Sequence, residues 1–534
     1  MTTKARTRIL ILGIVLWMTG GRIPPAAAAN PWAFGAQRTA VFLLDYASDG
    51  AQASAEEWRS AFFDADNSWA AFIREASCGQ ADLVGDVFGW YSFPAEELRE
   101  GVWPDLDRVF AAAQADVPDF RAYNKIVFVL HGVQGHAAGV STFGPIAITT
   151  PDGQVAATRC IIWDRLYPWT IDGTRNSTVT HELMHSFGVR GHANTLDCGA
   201  AFVGTDLNIT RQYAGGDPFD IMGGRWWAAH PNAAFKREIG WLSENEEIVA
   251  DRSGTHVLYP QERGGPETKL ITIPLVQPIP VVADAVAISR YYLEYRFAAG
   301  FDERLQALRE GHFNAPWPVD TGGILIRGGM LTDGALGTTW LLDAAPESLP
   351  EEYGAGGDFV DAFLLPGRSV LDPYNGVRIT CGAPREDGGI GVEVKHLADL
   401  EITSAVITPI PGRTSSRARL TIRNRLPWNR PVLAAGQRYV YIAYEGLVRD
   451  AATGGYTRPR VKPSWNTVMA IMGTALTDLL ERGEATVTLS IPNPVNGSFN
   501  AMVFMVDPQA GDYQGNAGRV DETDDTNNRI VVNL

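Results

Sequence analysis

Cysteine is scarce in this chain: Cys78, Cys160, Cys198 and Cys381 are the only four in 534 residues. None forms a CxxC pair, so a thiolate zinc cluster is excluded and structural disulfides are the expectation, with three pairings open. Positive charge is also short. Lys and Arg total 45 against 61 Asp and Glu, a net charge of −16, and no long basic run occurs. Nucleic acid and anionic membrane surfaces attract clustered Lys and Arg, so neither is an expected partner. No apolar run reaches the about 20 residues that span a bilayer, so no membrane span is expected in the mature chain. There is no solenoid-type repeat and no Gly-x-Ser-x-Gly elbow. The pairs Gly322-Gly323 and Gly328-Gly329 lack the strand–glycine–helix layout of a phosphate loop.

At the start stand Lys4, Arg6 and Arg8, a short apolar stretch over 9–18, and Ala27-Ala28-Ala29. This is the three-part layout of a secretory signal peptide, so residues 1–29 are expected to be removed and the protein secreted. The remaining length suits two to four domains. From residue 39 strand-like and helix-like patterns alternate. Residues 40–44, 83–91 and 125–130 read as strands, and 106–115 as a helix. Ser54 and Glu57 have capping-box spacing ahead of Trp58, Phe62, Trp69, Phe72 and Ile73. Past Trp241, short β-rich runs dominate, at 270–275, 291–297, 323–326, 377–380 and 390–394. Residues 407–413, with Pro409, Pro411 and Gly412, read as a linker, and strand patterns continue at 438–443, 485–491, 501–506 and 529–533. The expected architecture is multidomain: an α/β domain over 30–242, a β-rich domain over 243–406 and an immunoglobulin-like β-sandwich over 407–534.

The chemistry concentrates in residues 181–192, His-Glu-Leu-Met-His-Ser-Phe-Gly-Val-Arg-Gly-His. On a helix, His181 and His185 share one face and can bind one zinc ion. Glu182 falls beside that ion, placed to take a proton from a bound water. Gly188 can adopt the left-handed conformation that ends a helix, letting the chain return His192 as a third ligand. Ser177 or Thr178 is a candidate cap for the helix start. His131 and His136 lie around Gly132 and Gly135 at a strand end with no carboxylate pattern, and read as a loop.

This pattern resembles the long zinc-binding motif of the metzincin metallopeptidases. The resemblance implies a methionine turn, and Asp217-Pro218-Phe219-Asp220-Ile221-Met222-Gly223-Gly224 is similar to one, with Met222 as the apolar floor. Ala193-Asn194 after the third histidine, and the run 232–242 ending Gly240-Trp241-Leu242, resemble gametolysin-type peptidases and, less closely, immune-inhibitor-A-type peptidases. The likeness covers roughly residues 39–242. Gly224 stands where astacins and serralysins carry a tyrosine. Residues 520–532 resemble the last hairpin of bacterial adhesion-type immunoglobulin-like domains, and the acidic turn 520–528 is a Ca²⁺ candidate beside the plainer reading of a solvated hairpin.

The resemblance implies a zinc-dependent endopeptidase acting on protein or peptide, with Glu182 catalytic and His181, His185 and His192 holding Zn²⁺. The C-terminal domains, whose strand patterns point to sandwiches with loops for binding, are expected to attach to a substrate, surface or matrix ligand. A zinc-binding adhesion protein and a metal-dependent amidase on a non-protein substrate are the rivals. Cys78 as a thiol that silences the zinc is a further, weaker possibility, because it lies inside the first domain.

Overall fold

Apolar residues on consecutive positions, and not on alternate ones, mark the first strands as buried on both faces. In β1 (Gly35–Asp45), Val41 and Leu43 enter one core while Ala40, Phe42 and Leu44 enter another. The structure, a computed structural model, describes residues 30–534 except 48–52, 95–103, 133–138, 164–176, 209, 224–228, 283–285, 310–318, 333, 347, 349–357, 427–439, 450–455, 458–468, 472, 494–500, 507–528 and 534. The expected signal segment 1–29, His136, Gly224 and the acidic turn 520–528 thus lie outside the described residues.

The protein is multidomain and mostly strand, with several sheets and a few helices. The first sheet runs in the order β2 (Ala81–Ser92), β1, β3 (Lys125–His131), β6 (Gly153–Trp163), β4 (Gly139–Ser141). Its first four strands are parallel, and β4 closes one edge antiparallel to β6. A further strand, β5 (Ile146–Thr150), pairs with β6 off this path. One face packs on α1 (Ala55–Arg59), α2 (Trp69–Ala76), α4 (Ser177–Phe187) and α5 (Ala233–Ile239) through Trp58, Phe72, Leu183 and Phe235. The other face packs on α3 (Leu106–Ala113) through Val109 and Phe110. Ser54 and Glu57 form the expected capping box at the start of α1.

A second sheet overturns the expected boundary at 242/243. Its order is β8 (Arg211–Tyr213), β7 (Ala193–Asp197), β14 (Ala335–Leu342), β13 (Ile324–Thr332), β12 (Val286–Tyr295), β11 (Leu270–Val282), β9 (Glu247–Val249). Residues on both sides of the expected boundary share this one ladder. Thr339 pairs with Ala193, and Leu342 with Leu196, in parallel. Against this sheet packs a third, of β10 (Gly254–Leu258), β17 (Ile390–His396), β16 (Val377–Pro384) and β15 (Ser369–Asp372), joined through Ile271, Ile326, Trp340, Ile379 and Val392. The β-rich unit is therefore not self-contained. It borrows two strands from the segment that follows the third histidine.

Buried ions reinforce the seam. Arg327 Nε lies 2.6 Å from Asp217 Oδ2, and its Nη1 bonds Glu294 Oε1. Arg296 reaches Glu262, Glu294 and Asp302. Both guanidinium groups are buried, and removing one partner of such a pair costs about 3–5 kcal/mol.

The linker expected at 407–413 is also corrected. Strand Leu400–Pro409 pairs antiparallel with Ser415–Asn424, Ile407 opposite Ala418 and Pro409 opposite Ser416, so the Pro/Gly stretch is the tip of a hairpin. The last unit has its own core, from Ala398 to Val506. No disulfide forms: all four cysteines are free thiols, with Cys160, Cys198 and Cys381 buried as small apolar side chains. Among the described residues no helix is long and apolar enough to cross a membrane.

A chain ending at His396 should keep one cooperative unfolding transition. A chain ending at Leu242 strips β7 of β14 and should lose cooperativity, as followed by circular dichroism and calorimetry. A cooperatively folded chain of residues 30–242 would contradict the shared sheet.

Candidate metal centre

Helix α4 divides its faces cleanly. Val179, Leu183, Met184 and Phe187 are buried in the core beneath the sheet, which turns His181 and His185 together, their ring centroids 4.8 Å apart. Ser177 and Thr178 lie within the first turn of α4. The helix stops at Gly188, whose φ of +112° is costly for any other residue, and a Cβ there would lie 2.8 Å from Asn30 Nδ2. The chain then doubles back. At Gly191 a Cβ would lie 1.6 Å from the Gly337 carbonyl oxygen, so only glycine lets these backbones meet. His192 arrives with its ring centroid 5.2 Å from both His181 and His185.

The hydrogen bonds fix which nitrogens are free. His181 Nδ1 lies 3.0 Å from the Ile221 carbonyl oxygen, and His185 Nδ1 lies 2.7 Å from that of Val189. A carbonyl only accepts, so each Nδ1 carries the proton and each Nε2 keeps its lone pair for a ligand. One ring nitrogen from each of the three histidines falls within 4.8 Å of the others. Burial, then the neighbouring imidazole, lowers His181 to about 4 and His185 to about 3; burial also lowers His192. All three are neutral donors at pH 7.

Glu182 sits beside them, buried, with Oε2 lacking any hydrogen-bond partner. Burial pushes its carboxyl up to about 8. Three neutral imidazole donors beside an unpartnered buried carboxyl form a set that a divalent cation satisfies, and nitrogen ligands of this kind suit Zn²⁺. The second grouping of acidic and histidine side chains, His230, Glu262 and Asp302, differs. There Arg296 already contacts both carboxyl groups and Lys236 Nζ lies 3.2 Å from His230 Nδ1, so resident side chains occupy the place an ion would take.

Met222 is fully buried and lines the cleft. Its turn is locked twice: Met222 N–H donates to Asp220 Oδ1 (2.7 Å), and Ala193 N–H donates to the Met222 carbonyl (3.0 Å). The cleft holds roughly 410 Å³ and is lined by Thr178, His181, Glu182, His192, Met222 and Thr338, among others. His131, buried against Trp90, and Cys78, on the turn before β2, do not line it.

Several contributors carry no sequence signature. Gly139 backs Glu182: a Cβ there would lie 2.5 Å from Glu182 Cγ. Phe143, half exposed, stands edge-on to His185. Lys125 is wholly buried behind α4, where its Nζ donates to the Ser186 carbonyl (2.9 Å) and lies 3.9 Å from the Phe187 ring centre. Thr338 comes from a strand about 150 residues downstream, and only pairing in space brings it here. The chain matches no protein-family model and no curated protein.

Gly139→Ala should destabilise the fold by about 1–3 kcal/mol, because the added Cβ would lie 2.5 Å from Glu182 Cγ. Denaturant unfolding checks this, and an unchanged midpoint would contradict it. Lys125 gives a pH prediction. Burial lowers it from 10.5 to about 7, so between those values the unfolded chain binds the extra proton and stability rises with pH. Lys125→Met should flatten that rise in denaturant unfolding at pH 7.5 and 9.5; equal slopes for the two proteins would refute it.

Proposed function

We propose that this protein is a secreted, zinc-dependent endopeptidase of metzincin type, with His181, His185 and His192 as metal ligands and Glu182 as general base. The observation that carries the reading is the convergence of three neutral imidazoles and one unpartnered carboxyl in an open cleft. His181, His185 and His192 would hold the zinc ion, which would supply Lewis acidity and lower the pKa of water toward about 7. Beside such a dication the Glu182 carboxyl would ionise, because an opposite charge offsets the burial that holds it high. Glu182 then accepts the proton of the attacking water and hands it to the leaving amine, holding it on one carboxylate oxygen between the two events. Met222 does no chemistry and closes the floor with an apolar side chain.

A peptide substrate is favoured over a compact non-protein amide by the sheet edge. Strand β4 ends the order of the first sheet, and Gly139 within it borders Glu182 and lines the cleft. An extended chain can add to such an edge through main-chain hydrogen bonds, which brings one peptide bond to the metal. The unit beyond residue 397 offers no comparable cluster among its described residues, and we assign it to binding of a surface or large substrate.

Purified protein should carry about one zinc per chain. Glu182→Ala should keep that zinc and lose about 10²–10⁴-fold in turnover on casein or a short peptide. His185→Ala should lose zinc and activity together, and a chelator should reproduce its effect on the wild type. Near wild-type cleavage by Glu182→Ala would end the base assignment.

A further inference from the structure

Strand β13 carries a buried arginine to which no motif points. Arg327 grips Asp217 through two nitrogens, Nε at 2.6 Å from Oδ2 and Nη2 at 3.4 Å from Oδ1. Asp217 opens the turn that ends at Met222. Its Oδ1 accepts the Phe219 N–H (2.9 Å), and its own N–H donates to the Ala193 carbonyl (3.3 Å). One carboxylate thus joins β13 to the methionine turn, and its backbone joins that turn to the residue after His192.

Other contacts from the same sheet converge here. Glu294 Oε1 bonds Arg327, and its Oε2 accepts the Ala233 N–H at the start of α5 (2.7 Å). Burial alone would raise the Glu294 carboxyl, but Arg327 and Arg296 outweigh it and hold it below its usual range. Thr339 N–H donates to the His192 carbonyl (3.1 Å), and Thr339 Oγ1 accepts from Asn232 Nδ2 (3.1 Å).

His192 is the one ligand of the three that does not ride on α4, so its place depends on whatever holds the chain after Gly188. Besides the Met222 turn and β8, the groups that hold it come from residues 294–339. We propose that Arg327 is a positioning residue of the metal centre: through Asp217 it fixes the Met222 turn and the strand led by His192. The β11–β14 sheet is then part of the catalytic unit and not an appended domain. This inference rests on the metal-dependent reading of the site. A guanidinium fork sets direction as well as charge, which a lysine ammonium does not reproduce.

The test uses the full chain and compares wild type, Arg327→Met and Arg327→Lys. Zinc affinity is read by chelator competition, ligand geometry by the visible spectrum of the cobalt-substituted protein, and kcat and KM on a short peptide. Thermal unfolding monitors the fold. Folded Arg327→Met should bind zinc about 10–100-fold more weakly, as loss of outer-shell support does at metal sites. Its cobalt bands should shift, and kcat should fall with KM little changed. Arg327→Lys should fall between it and the wild type. Unchanged zinc affinity and cobalt spectrum in folded Arg327→Met overturn the proposal. Where Arg327→Met does not fold, Arg327→Lys decides alone: weaker zinc binding supports the proposal, and wild-type affinity overturns it. A wild-type chain that binds no zinc overturns the metal reading itself, and this inference with it, whereas zinc-binding variants of unaltered affinity overturn this inference only.

Discussion

The backbone pairing of Ala193–Asp197 with Thr339 to Leu342 is the constraint on which the arrangement depends. A strand of five residues cannot stand alone, because its amides need partners on both sides. Here it lies between β8 and β14, and its side chains serve two cores: Ala193 faces the core around α4, and Leu196 the core between the two β-sheets. The third histidine immediately precedes this strand. Where His192 sits is therefore decided by a sheet most of which lies after helix α5.

Burial acts alike on every carboxyl in this region, yet the outcomes differ. Among the described residues no cation offsets the burial of Glu182, which pushes its carboxyl up to about 8. Glu294 is at least as deeply buried, yet two guanidinium groups hold it low. The contrast separates a carboxyl held high by burial alone from one whose cation is built in. In the His230, Glu262 and Asp302 grouping Arg296 keeps Asp302 ionised despite its burial, whereas at Glu262 burial outweighs the same guanidinium and pushes the carboxyl up.

Glycine performs the close approaches on which the site depends. Gly188 supplies a positive φ, Gly191 lets two backbones touch, and Gly139 leaves room for Glu182. Only the first was legible in advance, since ending a helix is a local demand. The other two answer to partners far away in sequence, Gly337 for Gly191 and Glu182 for Gly139.

What the sequence determined by itself is the local chemistry. Helical period put His181 and His185 on one face, Gly188 ended the helix, and Ser54 with Glu57 capped another. Apolar runs marked strands such as 40–44 and 125–130. These follow from interactions within a few residues, which a linear pattern records. Tertiary structure alone decided the rest. A Pro/Gly stretch has one composition whether it links domains or turns a hairpin, and only the pairing of Ile407 with Ala418 settles which. Free thiols replaced the expected disulfides: Cys160, Cys198 and Cys381 are buried among apolar neighbours, Cys78 is exposed, and none meets a second sulfur. The partner of β7 and the pairing of Arg327 with Asp217 depend on contacts across 110 residues or more. Loop closure over such distances leaves no periodic trace in the chain, so the partner of the strand behind His192 became visible only in the folded protein.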